Sequence, residues 1–207
     1  MASDPSAAGE GRLPGEKPEH FTHLGDGRLV PKSHPRILWR GAMDVFLSFL
    51  LEARIGGERL GDGSFAGEIR EIADFSHDLL AREVSGRETG EFVLLGLSGE
   101  EIHELGRRTA RVFGPGRRRC SPEMGEAAAI LNRLRALCRQ AETAAVAAFV
   151  DGEGRVLRPD LILALNRLSS LLFVLMFRRL PPEFELSPAQ GALVAELREG
   201  LGGGKPR

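Results

Sequence analysis

One apolar segment, residues 158–179, limits what this chain can fold into more than any other stretch. Its leucines recur at steps of three and four residues, which is the period of an α-helix. A proline at its start, and two arginines followed by two prolines at its end, are typical of helix boundaries. Because apolar residues lie on nearly every side, we expect a buried central helix with a core row of Leu161, Leu165, Leu168, Leu172 and Leu175.

The polar residues inside this segment need an explanation of their own. The segment is long enough to cross a membrane, but four polar residues in its middle argue against a span: Asn166, Arg167, Ser169 and Ser170. A buried polar group without a partner costs about 1–3 kcal/mol, so each should meet another helix or a ligand. The alternative is that the amide and the serines only bond to neighbouring backbone.

Composition predicts an all-α protein with a substantial core and no general attraction to nucleic acid or membranes. Hydrophobic residues make up 42% of the 207 residues, and the net charge is −1. The two cysteines, Cys120 and Cys138, belong to no C-x-x-C motif, which excludes a disulfide framework and a cysteine-type zinc site. The N-terminus carries no apolar signal-peptide core, so we expect a cytoplasmic protein.

The chain divides into three predicted parts. Residues 1–19 are rich in Gly, Pro, Ala and Ser and are expected to be a disordered tail. Residues 20–182 form one helical domain. Residues 183–207 hold a short helix, capped by Ser187 with Gln190, and a flexible tail.

Apolar periodicity and capping residues predict the other helices of the domain. Residues 91–97 form a short apolar run that is either a strand or an extended connector. The predicted helices are 36–55, ended by Gly56 and Gly57; 64–84, capped by Ser64; 98 to about 108, opened by a Ser98–Glu101 capping box; and 121 to about 150, opened by Ser121 and Pro122.

Two loops carry charge that could bind an anion. Residues 20–34 contain a Gly-Asp-Gly turn, and Lys32 and Arg36 near it could supply charge to phosphate; an ordinary surface turn is the alternative. Residues 107–120 contain six arginines around Gly-Pro-Gly. They could form an anion or nucleic-acid patch, although the lack of interleaved aromatic residues favours a solvated, flexible loop.

The helix over 121–150 carries a second candidate site. At 100° per residue, Arg135, Arg139 and Glu142 share one side of it, opposite the apolar residues. Ordinary surface ion pairs would account for this pattern. The functional alternative is a pair of guanidinium groups that bind a polyphosphate, with Glu142 orienting one of them.

Several motifs, in the same order, resemble those of the ATP:cob(I)alamin adenosyltransferases. LNRLRALCRQAETAAV followed by LRPDLILALNRLSSLLFVLMF is similar to the C-terminal half of that family, and KSHPRILWRGAMD to a segment near its N-terminus. The segments KPEHFTHL, LVPKSHPR, LGLSGEEIHEL and RPDLILALNRLSS are most similar to the ethanolamine-utilisation branch. The resemblance covers roughly residues 17–180.

The resemblance implies a five-helix bundle that assembles as a homotrimer, with a dimer as the alternative, and binds ATP between neighbouring subunits. Cob(I)alamin would attack the 5′ carbon of ATP, with Mg²⁺ assisting, to give adenosylcobalamin and triphosphate. The cobalt nucleophile needs no general base, which fits the lack of a catalytic His or Cys constellation. The family also implies hand-off of the product to an adenosylcobalamin-dependent enzyme, in the cytoplasm or in a bacterial microcompartment, with no role for nucleic acid or membranes.

The resemblance assigns roles to individual residues. Lys32 and Arg139 match phosphate-binding residues. Asp44 and Arg135 match an aspartate and an arginine that are expected to form an ion pair, either within one chain or across a subunit boundary. Thr22, Glu142 and Asn166 match residues of the nucleotide site. Phe113 matches a phenylalanine that faces the corrin ring.

The sequence also departs from the family pattern. Gln140, Thr143 and Ala144 replace three residues around the motif glutamate, Ser170 replaces an aspartate, and a Gly-rich phosphate loop and a Cys-rich metal motif are missing. The second hypothesis is therefore a weakened relative that binds corrinoid or nucleotide, or assists assembly, without turnover. The third is a nucleic-acid binder that acts through residues 107–119.

Overall fold

The computed structural model describes residues 17–114 and 120–200. Of the predicted disordered tail, residues 1–19, the first sixteen lie outside that part, as does the predicted flexible tail from residue 202, whereas the carbonyl of Pro18 accepts a hydrogen bond from the backbone N–H of Phe21. The elements of the structure, in chain order, are β1 (Phe21–His23), β2 (Leu29–Pro31), α1 (Pro35–Arg59), α2 (Gly63–Ser85), β3 (Val93–Leu94), β4 (Leu97–Ser98), α3 (Gly99–Phe113), a 3₁₀ turn (Pro122–Met124), α4 (Gly125–Phe149), α5 (Pro159–Arg178) and α6 (Pro188–Gly200).

Five helices form a bundle in which neighbours in space are not always neighbours in sequence. α1 packs against α2 and α4, α4 also packs against α5, and α5 packs against α3. The predicted five-helix bundle is confirmed, and α6 adds a sixth helix that covers parts of α3 and α5. The predicted cap of α6 forms as well, because Ser187 and Gln190 exchange hydrogen bonds between side chain and backbone.

α5 is the central helix of the bundle. All five leucines of the predicted row are fully buried. By length and composition α5 could cross a membrane, but 67% of the apolar window is buried inside the protein, as expected for a core helix. Its partners α4 and α3 supply the two walls between which its polar residues lie.

The glycine pair Gly56–Gly57 does not end α1, which was the prediction. The helix continues to Arg59, and both glycines are buried. A Cβ on Gly57 would lie 2.8 Å from Cδ1 of Phe65, the first buried residue of α2, and a Cβ on Gly56 would lie 3.4 Å from Cδ1 of Ile130. The glycines therefore let two other helices approach α1 closely, a use that local propensity does not reveal.

Helix starts also differ from the prediction in two places. Asp62, not Ser64, caps α2, because its carboxylate accepts a hydrogen bond from the backbone N–H of Phe65. The segment after Ser121 forms only a 3₁₀ turn, and α4 begins at Gly125, whose φ of 81° interrupts a continuous helix. The Ser98–Glu101 capping box is confirmed, although α3 extends beyond the predicted end to Phe113.

The segments that precede α1 and α3 each form a short antiparallel hairpin. β1 pairs with β2 around the predicted Gly-Asp-Gly turn, with Thr22 opposite Val30. β3 pairs with β4 through a turn at Leu95 and Gly96, both with positive φ, so the run at 91–97 is a strand pair. The first hairpin places residues 22–32 at the N-terminal end of α1.

Candidate active site

A cleft of about 320 Å³ opens between α3, α4 and α5. Four of the predicted site residues line it, Arg135, Arg139, Glu142 and Asn166, although they come from two helices. The remaining lining residues are His103, Gly106, Arg107, Ala110, Ser169, Ser170 and Phe173. Two separate sequence patterns therefore converge on one concave surface.

On the α4 wall, the positive charge of Arg139 is not balanced by a carboxylate of the described residues. Arg139 is exposed, and its guanidinium makes no hydrogen bond or ion pair with the residues that the structure describes. Arg135 is half-buried, and its Nη2 donates to Oδ1 of Asn132 at 3.1 Å. Both arginines line the cleft, so the predicted shared side of α4 forms one of its walls.

Hydrogen bonds account for all four polar residues in the middle of α5. Nδ2 of Asn166 donates to Oε1 of Glu142 on α4 at 2.9 Å, and Nη1 of Arg167 donates to Oδ1 of Asn166 at 2.8 Å. The hydroxyls of Ser169 and Ser170 each donate to the backbone carbonyl of Asn166 at 3.0 Å. The serines thus satisfy neighbouring backbone, whereas the amide joins α4 to α5.

Of the α3 wall only Arg107 was predicted, as part of the basic loop at residues 107–120, and that loop prediction is wrong as far as Phe113, where the chain is helical. Residues 103, 106, 107 and 110 line the cleft at helical spacing, after the capping box that begins α3. A Cβ on Gly106 would lie 3.5 Å from Cβ of Ser170, so the two helices are in close contact here. The spacing from the capping box was available in the sequence, but nothing local shows which side of α3 faces α5.

The charges that line the cleft favour an anion. Three arginines, Arg107, Arg135 and Arg139, stand against one carboxylate, Glu142. Among the described residues, Arg107 forms its ion pair with Glu104 on the same helix, and this exposed contact at 3.7 Å is weak in water. A ligand with several negative charges would gain charge-assisted hydrogen bonds from these guanidinium groups.

A second group of predicted site residues lies away from this cleft. Thr22 is on β1, Lys32 follows β2 and is exposed, and Asp44 is exposed on α1. Asp44 forms no ion pair within residues 17–114 and 120–200. α1 packs chiefly on α2 and α4, whereas the cleft lies between α3, α4 and α5, and none of these three residues lines it.

Arg36, the other predicted phosphate ligand near the first hairpin, pairs with a carboxylate that sequence analysis missed. Its Nε donates to Oε1 of Glu83 at 2.6 Å, and Nε of Arg40 donates to Oε2 of the same residue at 2.7 Å. Glu83 is fully buried, so the two arginines of α1 neutralise it. The paired residues are far apart in sequence, so no local sequence pattern predicts the pairing.

Phe113, the predicted corrin-facing residue, lies in an aromatic cluster at one end of the cleft. It is buried, and its ring centroid lies 3.9 Å from that of Phe177. Phe177 in turn contacts Phe173, which lines the cleft, with ring centroids 5.0 Å apart. The apolar surface next to the polar residues is thus Phe173, with Phe113 behind it.

The cysteines take no part in this arrangement. Burial raises the pKa of the Cys138 thiol, and its Sγ donates to the carbonyl of Leu165 at 3.4 Å, so this thiol is structural. Burial also raises the pKa of Cys120. Within the described residues no three side chains of His, Cys, Asp or Glu gather as a metal site.

Comparison with known proteins gives one consistent family. A family model described as cobalamin adenosyltransferase matches residues 15–178. Corrinoid adenosyltransferase EutT of Escherichia coli (strain K12) is 31% identical over 161 residues, covering 78% of this chain and 59% of that protein. The EutT of Salmonella typhimurium (strain LT2) is 30% identical over 188 residues, covering 90% and 66%. The chain thus spans less than two thirds of the length of these curated relatives.

A solved structure shares the fold. It is that of a variant PduO-type ATP:corrinoid adenosyltransferase from Lactobacillus reuteri, complexed with cobalamin and ATP. The similarity has a TM-score of 0.56 at 17% sequence identity, and covers 76% of this chain and 87% of that one. The structure of a second variant of the same enzyme, with the same two ligands, gives the same TM-score.

Proposed function

The chain belongs to the cobalamin adenosyltransferase family, and from that premise we propose that it transfers the 5′-deoxyadenosyl group of ATP to cob(I)alamin, giving adenosylcobalamin and triphosphate. The observation that carries the proposal is the cleft in which Arg135, Arg139, Glu142 and Asn166 meet. Two of the four are arginines, and a carboxylate–amide hydrogen bond joins the two helices that carry them all.

In this reaction the residues of the chain bind and orient ATP and do not transfer protons. The reduced cobalt of the substrate cob(I)alamin attacks C5′, the bond from C5′ to oxygen breaks, and triphosphate leaves with the electron pair. Arg139, with Arg107 and Arg135 beside it, would stabilise the departing charge. Each charge-assisted hydrogen bond contributes about 1.5–3 kcal/mol, so two or three would change the rate by orders of magnitude.

Mg²⁺ belongs to the same proposal as a companion of the phosphates. Magnesium in nucleotide sites is usually held by phosphate oxygens, one or two carboxylates and water. Glu142 is the carboxylate among the described residues that line the cleft, and one of its oxygens accepts from Asn166. Glu142 would therefore hold the ion directly or through water, and the ion would supply further neutralisation of phosphate charge.

We assign the second group of residues to a neighbouring copy of the chain. Thr22, Lys32 and Asp44 do not line the cleft of their own chain, so a complete site would need two copies. The exposed surface of α1 supports this assignment, because it carries four exposed apolar residues besides Asp44: Leu38, Val45, Leu51 and Ile55. A homotrimer, with a dimer as the alternative, would bury this face.

The proposed contact between copies can be tested through the Asp44–Arg135 pair. Exchange of Asp44 for Asn and of Arg135 for Gln, singly and together, gives a double-mutant cycle on ATP affinity. We expect the double variant to lose less than the two single variants combined. Strictly additive losses would remove the pair from the proposal.

The apolar end of the cleft is the proposed position of the corrin ring. Phe173 lines the cleft, and Phe177 and Phe113 support it from behind. An apolar wall there would exclude a lower axial ligand of cobalt and so favour the reduced, nucleophilic state. In this assignment Phe113 acts through its packing on Phe177.

The alternative of a weakened relative has one point in its favour and one against. Ser170, the substitute for a family aspartate, does line the cleft. Gln140 and Thr143 are exposed and are not among the lining residues, so these departures leave the described cleft intact. For the nucleic-acid alternative, Arg107 lies in the cleft and residues 115–119 lie outside the described part of the chain.

The deciding experiment is a turnover assay with ATP, Mg²⁺ and chemically reduced cobalamin. We expect adenosylcobalamin and triphosphate in equal amounts. Tight ATP binding with no adenosylcobalamin would support the binding-module alternative. Retention on heparin that is lost only on mutation of residues 117–119, in a protein without turnover, would support the nucleic-acid alternative.

The cellular context is proposed from the relatives that carry the EutT name. We place the protein in ethanolamine utilisation, in the cytoplasm or in a bacterial microcompartment. An adenosylcobalamin-dependent enzyme would then receive the product directly.

A further inference from the structure

Arg167 is a half-buried cation next to Asn166, the residue that joins α5 to α4. Its guanidinium donates to the neutral side-chain oxygen of Asn166 at 2.8 Å, and no carboxylate of residues 17–114 or 120–200 lies within ion-pair distance of it. In contrast, the half-buried arginines Arg36, Arg40 and Arg158 each pair with a carboxylate.

The surroundings of Arg167 do not favour its charge. A Cβ on Gly99 would lie 3.6 Å from Cγ and 3.8 Å from Nε of Arg167, so the side chain runs along the first turn of α3. The N-terminus of a helix carries partial positive charge and repels cations. The acidic residues of that turn are Glu100 and Glu101, and the latter is occupied by the capping box. The side-chain acceptor of Arg167 is therefore the neutral amide of Asn166 and not one of these carboxylates.

Arg167 and Glu142 together hold the Asn166 amide in a single orientation. A guanidinium only donates hydrogen bonds, so the oxygen of the amide must face Arg167. The nitrogen then points away from Arg167, and it donates to Glu142 at 2.9 Å. Arg167, Asn166 and Glu142 thus form a chain of hydrogen bonds in which each member sets the direction of the next.

We propose that Arg167 is a positioning residue, which fixes Asn166 and through it the Glu142 carboxylate in the orientation that the cleft uses to bind ATP. This role rests on the proposed function. Arg167 itself is not among the residues that line the cleft, so its effect on ATP would pass through Asn166.

The test is ATP affinity, measured by calorimetry without corrinoid, for Arg167→Met in two backgrounds. In the otherwise wild-type protein we expect about a tenfold loss, as for one charge-assisted hydrogen bond. In an Asn166→Ala background the same exchange should change affinity by less than about twofold, because the link to Glu142 is already broken. Arg167→Lys, which keeps a charged donor, should restore most of the affinity, and the KM for the corrinoid should not change.

A matched control removes an arginine of another region. Arg155 lies in the turn between α4 and α5 and pairs with Asp151, so Arg155→Met should leave ATP affinity unchanged. Thermal unfolding of every variant separates a loss of fold from a loss of binding. If Arg167→Met does not fold, Arg167→Gln, which keeps a neutral donor, takes its place in the same two backgrounds.

The outcomes separate the two proposals. Equal losses from Arg167→Met with and without Asn166 would overturn the positioning role, as would a fall in thermal stability with unchanged ATP affinity. A wild-type protein that binds no ATP would overturn the proposed function, and this role with it.

Discussion

The arginines of this protein differ in whether a carboxylate of the protein already balances their charge. Arg36 and Arg40 share the buried carboxylate of Glu83, and Arg108 makes a bidentate pair with Glu196. A guanidinium whose charge is already balanced gains less from a phosphate than one that faces water alone. Arg139 is of the second kind among the residues that the structure describes, and this difference supports its role as a phosphate ligand.

Arg139→Ala should therefore lower catalysis and leave folding intact. We expect kcat/KM for ATP to fall by about tenfold to a hundredfold, the equivalent of about 1.5–3 kcal/mol, and the free energy of unfolding to change by less than about 0.5 kcal/mol. Steady-state kinetics and urea unfolding measure the two effects. Arg133→Ala, on the same helix but paired with Glu52 on α1, is the control and should retain turnover. Normal turnover per folded molecule of the Arg139 variant would refute its role.

The sequence predicted correctly which side chains lie together when all of them belong to a single helix. The step from Arg135 to Arg139 and Glu142 places them on one side of α4, and the structure has them there. Glu83 could not be predicted, because its partners are on another helix and the pairing is decided only when α1 and α2 pack. The roles of the predicted site residues stay predictions until the variants are measured.

The helices were predictable because period and caps are local, but their ends depend on packing. Asp62 and Ser64 both have side chains suited to a cap. The structure selects Asp62, which also pairs with Arg179 at the end of α5. The glycine pair of α1 likewise has two uses, a helix end or a close contact, and only the position of α2 decides between them.

Gly57→Ala should destabilise the protein despite the higher helix propensity of alanine. The new Cβ would lie 2.8 Å from Cδ1 of Phe65 and 3.2 Å from the backbone nitrogen of Ala66, so α1 and α2 would have to separate. We expect a loss of about 1–3 kcal/mol in the free energy of unfolding. Gly67→Ala, which meets no atom within 4 Å, should instead gain up to about 1 kcal/mol. Equal effects in urea unfolding would contradict the close contact.

Asp62→Ala should reduce stability in a manner that depends on pH. Partial burial alone would raise the pKa of Asp62, but the hydrogen bonds from Phe65 and Ser64 and the charge of Arg179 outweigh it, and the pKa is lowered from 3.8. A lowered pKa means that Asp62 stabilises the fold above pH 3.8 and loses this contribution as the pH falls through the lowered value. We expect a cost of about 1–2 kcal/mol at pH 7.

The pH series gives the check on this cap. The difference between wild type and Asp62→Ala, measured by urea unfolding, should shrink below pH 3.8. Ser64→Ala serves as the comparison and should cost less at neutral pH, since Ser64 donates to Asp62 and does not cap the helix itself. A larger loss from the serine variant would support Ser64 as the cap.

For the molecule as a whole, the proposed site is divided between two faces. The cleft of α3, α4 and α5 carries the arginines and Asn166, whereas Thr22, Lys32 and Asp44 lie at the first hairpin and on the exposed face of α1. The motifs predicted the members of both groups, and the family resemblance implied a site between subunits, but neither showed how one chain separates the two groups. That separation depends on the order in which the helices pack, which no single motif contains.

Mixing of two inactive variants tests this division most directly. Asp44→Ala damages the α1 face and Arg139→Ala damages the cleft, so each variant alone should have little activity. In randomly mixed oligomers about a quarter of the sites would join an intact face to an intact cleft, and we expect activity near a quarter of wild type. Mixed oligomers, verified with two affinity tags, that regain no activity would contradict a site shared between copies.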